Sequence, residues 1–162
     1  MGSEDEPLTG DAPDDEAERR IIRVFLCDDV PGFRALARIA LEQAPDLRVV
    51  GEASDAVSGI PAIVEASPDV VLLDLGVPME NGLEAIPRLR AESPASCLIV
   101  LSGLPPERAA NPALARGAHR YLEKGVPWEA VRLAIRRCVE AYREGARTDT
   151  PAPIPDAGEP GS

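Results

Sequence analysis

The stretch Val70-Val71-Leu72-Leu73-Asp74-Leu75-Gly76-Val77-Pro78-Met79-Glu80-Asn81-Gly82 decides the fold. Four consecutive apolar residues, bounded by Pro68-Asp69 before and by Gly76 and Pro78 after, predict a short strand buried on both faces. Such a strand belongs in the middle of a parallel sheet with helices on both sides. It ends on an acid, Asp74, and ligands of open α/β sheets bind just beyond the carboxyl ends of the strands. Taken alone, Asp74 reads as the acid of an ordinary turn.

Working outward, the same pattern recurs. Ile21 to Cys27 is a second near-continuous apolar run, and it closes on Asp28-Asp29. Pro31 then opens a helix at a position where its missing N–H costs nothing. Phe33, Leu36, Ala37, Ala40, Leu41 and Ala44 predict its core-facing stripe, and Pro45 ends it. Leu47 to Ala53 reads as the second strand. Ser54 or Asp55 caps the next helix, which reaches Ala66, with Pro61 delaying its start. After the strand 70–74, a third helix runs from Asn81 or Gly82 to about Ala91, kinked at Pro87. Cys97 to Leu101 is the fourth strand, ending on Ser102-Gly103. Residues 105–116 have helical character, but Pro112 predicts an irregular stretch over 105–110 with a turn or two resuming at the proline. Arg120 to Glu123 is a short fifth strand that ends on Lys124-Gly125. Pro127 opens the last helix, in which Val131, Ala134, Ile135, Cys138, Val139 and Tyr142 share one face. Five strands alternating with five helices predict an α/β, flavodoxin-like, doubly wound parallel sheet of order 2-1-3-4-5.

At 162 residues the chain suits one domain with a real core. Residues 21–144 form that domain. The acidic segment 1–20 and the Pro/Gly-rich segment 145–162 lack periodicity and read as disordered tails. The net charge of −11 resides mainly in those tails, since 21–144 holds seventeen acids against fourteen bases. That balance argues against direct nucleic-acid binding or an anionic membrane surface. Cys27, Cys97 and Cys138 are widely spaced and read as buried small hydrophobes rather than a disulfide frame or zinc site. Without a long apolar run or signal peptide, the expected location is the cytoplasm. The single histidine, His119, reads as a solvent-facing loop residue, and Trp128 as a packing residue. Of seventeen basic residues sixteen are Arg, and Lys124 is the one Lys.

Polar residues end four of the strands: Asp28-Asp29, Asp74, Ser102 and Lys124. With strands one and three as neighbours, three carboxylates converge, and a bound divalent cation relieves their repulsion. Oxygen-only ligands suit Mg²⁺. Lys124 brings a compact positive charge to the opposite side, as a phosphate needs, and Ser102 offers a hydroxyl. Each residue singly has a plainer reading: Asp28 or Asp29 as a helix cap, Ser102 as a turn residue, Lys124 as a surface cation. Their joint placement describes a carboxylate nucleophile that accepts a phosphoryl group.

These residues resemble the receiver domain of two-component response regulators, from about Ile21 to Tyr142. The resemblance rests on Cys27-Asp28-Asp29, on 72–84 with Pro78 and Gly82 four and eight residues after Asp74, on Val100 to Gly103, and on 117–125. It implies that Asp74 takes a phosphoryl group from a histidine kinase or histidine phosphotransfer protein, as an acyl phosphate. It further implies that Asp29, Asp74 and the Gly76 carbonyl ligate Mg²⁺, with Asp28 nearby or acting through water. Ser102 and Lys124 would contact the phosphoryl oxygens, and Tyr121 would be the aromatic that swings inward on activation. The resemblance implies a signalling phosphoacceptor that catalyses only its own phosphorylation and dephosphorylation, an unidentified downstream protein, and room for a phosphorylation-dependent dimer.

Relatives with such receivers, of the NarL/LuxR-like kind, carry a helix-turn-helix domain. Eighteen loose residues after the domain are too few for one, so the chain reads as a stand-alone receiver or as part of a longer DNA-binding regulator. A pseudo-receiver that binds partners without phosphorylation has no need of mutually repelling carboxylates. A haloacid-dehalogenase-type phosphatase calls for a second acid two residues after the nucleophile, where Gly76 stands.

Overall fold

The computed structural model describes residues 21–76 and 78–147, with backbone alone at 146 and 147. The expected tails, 1–20 and 145–162, lie outside those residues except for 145–147. The strands are β1 (Ile22–Cys27), β2 (Leu47–Ala53), β3 (Val70–Leu73), β4 (Cys97–Ser102) and β5 (Arg120–Glu123). They alternate with α1 (Pro31–Glu42), α2 (Ala56–Ala66), α3 (Met79–Glu92), α4 (Pro106–Ala115) and α5 (Trp128–Arg147). Every strand pairing is parallel and the order is β2-β1-β3-β4-β5, so the expected doubly wound sheet is the one observed.

The unbroken apolar runs have a direct explanation in the two-residue period of a strand. Val24, Leu26, Val70, Leu72, Ile99 and Leu101 point to one side, where α1 and α5 cover them. Phe25, Cys27, Val71, Leu73, Leu98 and Val100 point to the other, under α2, α3 and α4. Residues 70–73 are 3% exposed or less, which makes β3 the inner strand of both layers. Each such Val or Leu contributes roughly 1.5–3 kcal/mol of burial. The cysteines are buried and unbridged, and burial, with Asp55 and Asp28 adding to it, pushes the Cys27 thiol up to about 12.

The helices depart from the sequence reading in instructive ways. In α1, Leu36 is half exposed, and the buried line runs through Ala37, Ala40 and Leu41. The small alanines bring the helix close to the sheet, and Leu36 is rotated about 100° away from Ala37. In α2, Asp55 caps Val57 N–H at 2.9 Å, and the helix starts at once, with Pro61 inside it. Helix α3 starts at Met79, two residues before Asn81. The broken helix expected at Pro112 is not found, because α4 runs unbroken from Pro106 to Ala115. An interior proline costs roughly 3 kcal/mol, and burial of Ala109 and Ala113 against the sheet holds the helix regardless. Helix α5 begins just after Pro127, whose carbonyl accepts from Ala130 N–H and Val131 N–H. It continues to Arg147, three residues past the expected boundary.

His119 is no solvent-facing loop residue. Gly117, at φ 121°, and the buried Ala118 turn it inward. Its Nδ1 accepts the Leu98 N–H at 3.0 Å while its own N–H donates to the Leu98 carbonyl at 2.8 Å. An imidazole thus completes the β4–β5 ladder, its ring meeting Tyr142 edge-on at 5.2 Å. Burial, aided by the Arg90 charge, lowers the His119 pKa from 6.5 to about 4. A lowered pKa means that the unfolded chain binds the proton more tightly. His119 therefore contributes stability that is complete above about pH 6.5 and lost as pH falls towards about 4. The expected loss is on the order of 2–3 kcal/mol. Urea titrations across that range should show a shallower pH dependence for His119→Asn than for wild type, and equal slopes would refute the assignment.

Candidate functional site

Strand register brings the polar ends together. Cys27 pairs with Leu73, and Asp74 N–H donates to the Cys27 carbonyl at 2.9 Å, so Asp28 and Asp74 leave adjacent strands side by side. Ser102 closes β4 opposite Glu123, and Lys124 N–H donates to the Ser102 carbonyl at 2.8 Å. Carboxylate oxygens of Asp28, Asp29 and Asp74 all lie within 4.8 Å of one another. Asp28 is buried, Asp74 partly buried and Asp29 exposed.

Lys124 does not stand across from the acids as the sequence suggested. Its Nζ lies 2.7 Å from Asp28 Oδ2 and 3.4 Å from Asp74 Oδ2. The repulsion expected among three carboxylates draws the ammonium onto them. Asp28 Oδ1 accepts from Val30 N–H at 2.9 Å, so Asp28 serves a turn and an ion pair together. Neither Asp28 nor Asp29 caps α1, whose cap position is Val30. Burial raises the Asp74 pKa above its ordinary value, with Asp28 adding to the rise and Lys124 opposing it. Burial also pulls on Lys124, but its hydrogen bond to Asp28 and the Asp74 charge outweigh that and raise its pKa.

Ser102 is 1% exposed, and its Oγ accepts the Leu104 N–H at 3.2 Å. Tyr121 donates from its hydroxyl to the Leu104 carbonyl at 2.6 Å, and burial raises its pKa. Gly76 adopts φ 82°, and its backbone N–H works against the rise in the Asp74 pKa. An open cavity of about 490 Å³ lies beside Asp74, lined by Asp29, Asp55, Gly76, Asn81 and Glu84. Asp55 was legible only as a helix cap, and nothing in the spacing of Asp55 or Glu84 marked them as cavity walls. Phe33, read as a core residue, lies under Lys124 with its ring centroid 4.1 Å from Nζ.

A second group, Cys97, His119 and Cys138, has ligand atoms within 4.8 Å of one another at the opposite end of β4. There His119 Nδ1 already accepts the Leu98 N–H, which puts the proton of the neutral ring on Nε2. No imidazole lone pair remains for an ion unless that bond breaks.

The loop that carries the cavity depends on Gly82. A Cβ at that buried position would overlap the Leu75 backbone. Gly82→Ala should destabilise the fold by about 1–3 kcal/mol through overpacking, whereas Gly32→Ala, which meets nothing within 4 Å, should not. Thermal denaturation of the two variants checks the contrast.

Comparison with known proteins agrees with this geometry. The chain is 38% identical over 114 residues to the nitrate/nitrite response regulator protein NarL of Escherichia coli strain K12, covering 70% of this chain and 53% of that protein. It is 37% identical over 116 residues to the transcriptional regulatory protein LiaR of Bacillus subtilis, covering 72% and 55%. The chain thus spans about half the length of these relatives. Among solved structures, the receiver domain of the putative response regulator NarL from Mycobacterium tuberculosis superposes with a TM-score of 0.69 at 28% identity, covering 75% of this chain and 98% of that one. The response regulator domain of Thermotoga maritima CheB gives 0.67 at 26% identity, covering 75% and 98%. The response regulator receiver domain family matches residues 24–136, and with the sheet order and strand-end residues described above, the chain belongs to that family.

Proposed function

We propose that Asp74 is the phosphoacceptor of a signalling receiver, taking its phosphoryl group from the phosphohistidine of a histidine kinase or histidine phosphotransfer protein. The observation that carries this reading is the convergence of Asp28, Asp29, Asp74 and Lys124 from three strand ends into one polar cluster. An Asp74 carboxylate oxygen attacks phosphorus, the P–N bond breaks, and its electron pair returns to the imidazole nitrogen. The product is an acyl phosphate. Lys124 then exchanges a carboxylate oxygen for a phosphoryl oxygen, and the Ser102 hydroxyl donates to another. Turning Ser102 towards that oxygen releases Leu104 N–H and vacates space beside the Tyr121 ring, which moves inward.

The donor set fits a hard divalent cation: the cluster offers only carboxylate oxygens, and the exposed Asp29 makes no hydrogen bond or ion pair among the described residues. Asp29, Asp74 and the Gly76 carbonyl would hold Mg²⁺, with Asp28 close by. When bound, the cation neutralises carboxylate charge and favours the approach of phosphoryl oxygens.

The functional unit is the 21–144 domain, working in the cytoplasm. Its catalysis is confined to its own phosphorylation and dephosphorylation. Its output is a changed protein-binding face for a downstream protein or a second phosphorylated copy, without direct nucleic-acid contact.

Acetyl phosphate with Mg²⁺ should add one base-labile phosphoryl group to the intact mass, and Asp74→Asn should abolish it. Unchanged labelling of the Asn variant would sink the assignment. Asp29→Ala should keep the fold yet weaken Mg²⁺ binding about tenfold or more, equivalent to ~1.4 kcal/mol or more for the lost carboxylate. Equal affinities in a titration would reject Asp29 as a ligand.

A further inference from the structure

We propose that Phe33 is a positioning residue for Lys124, its ring face holding the ammonium beside Asp74 while Nζ changes oxygen partners. The inference rests on the phosphoacceptor reading above and deepens it. Nζ lies 4.1 Å from the Phe33 ring centroid, well inside the reach of a cation–π contact. The ring is braced in turn by the indole of Trp128, at 5.7 Å between centroids and tilted by 38°. Phe33 sits in the first turn of α1 and Trp128 is the first residue of α5, so the two helix starts jointly build an aromatic ledge beneath the ammonium.

Chemically the ledge differs from every other partner of Lys124. The two carboxylates are directional acceptors that fix Nζ near their own oxygens. An aromatic face attracts a cation through its quadrupole without claiming any of its three N–H donors. That attraction varies gently as the cation slides across the ring, so Nζ can move from carboxylate to phosphoryl oxygen without losing lateral support. The helix starts on either side carry partial positive charge and would push an ammonium outwards. The negative ring face opposes that push. A compact ammonium also explains why this position holds the one Lys in a chain that otherwise uses Arg. A guanidinium would stack flat on the ring and direct its fork elsewhere.

The sole lysine makes the test unambiguous. Labelling the full chain with ¹³C-lysine gives a single set of ε-CH₂ signals, and in wild type these should be shifted upfield by the Phe33 ring current. Phe33→Leu should abolish the shift and slow labelling by acetyl phosphate about three- to tenfold, leaving Mg²⁺ affinity unchanged. Phe33→Tyr, which keeps the ring, should restore both shift and rate. Phe33→Met serves as a second ring-free variant if Leu disturbs the fold. Labelling by Phe33→Leu at the wild-type rate, or a wild-type ε-CH₂ signal without the upfield shift, would overturn the proposal while leaving the phosphoacceptor reading intact. A wild-type chain that takes no phosphate would overturn that reading and the role of Phe33 with it.

Discussion

One ammonium ion organises the carboxyl end of this sheet. Lys124 Nζ, 2.7 Å from Asp28 and 3.4 Å from Asp74, offsets the repulsion that β1 and β3 create by ending on acids side by side. Removing it would leave a buried carboxylate and a half-buried one facing each other with no counter-charge, a costly arrangement away from water. Asp29 stays in solvent, where its charge is screened. The site thus holds one acid paired, one acid shared and, among the described residues, one acid without a partner, and the difference among them follows burial.

Precision at the strand ends rests on the apolar strands behind them. Alternating side chains of β1, β3 and β4 enter two separate layers, so slipping any strand by one residue would exchange its layers and misplace its terminal polar residue. Core and site are therefore specified together. The Asp74 N–H bond to the Cys27 carbonyl is the last rung of the same ladder that buries Leu73.

The strands and their order were legible because their apolar runs are short, unbroken and punctuated by proline, glycine and acids. Family resemblance then pointed to Asp74 and its companions as a set. Other features depended on tertiary distances that periodicity does not encode. Pro112 reads locally as a breaker, yet buried Ala109 and Ala113 keep α4 whole. His119 reads as a polar loop residue, although the Leu98 N–H of β4 needs an acceptor that its ring supplies. Lys124 was placed at its strand end, but its direct pairing with Asp28 and Asp74 was not read, since only the assembled charges select that pose. Phe33 looked like part of a core stripe because no local pattern separates a ring that packs from one that also meets a cation.

The two faces of the sheet are covered by helices of different character. Pro61, Pro87 and Pro112 all fall inside helices of the α2–α3–α4 layer, whereas α1 and α5 have no proline beyond their first turns. Each interior proline deletes one helical hydrogen bond and lowers the helix's stability as an isolated segment. The α2–α3–α4 layer consequently owes its helicity to contact with the sheet, while α1 and α5 retain more of their own. Local opening should then be unequal across the molecule, with the proline-bearing helices forming the less stable cooperative unit. The cavity beside Asp74 takes its walls from the starts of α2 and α3, so the softer side of the domain is also the side through which that cavity can widen.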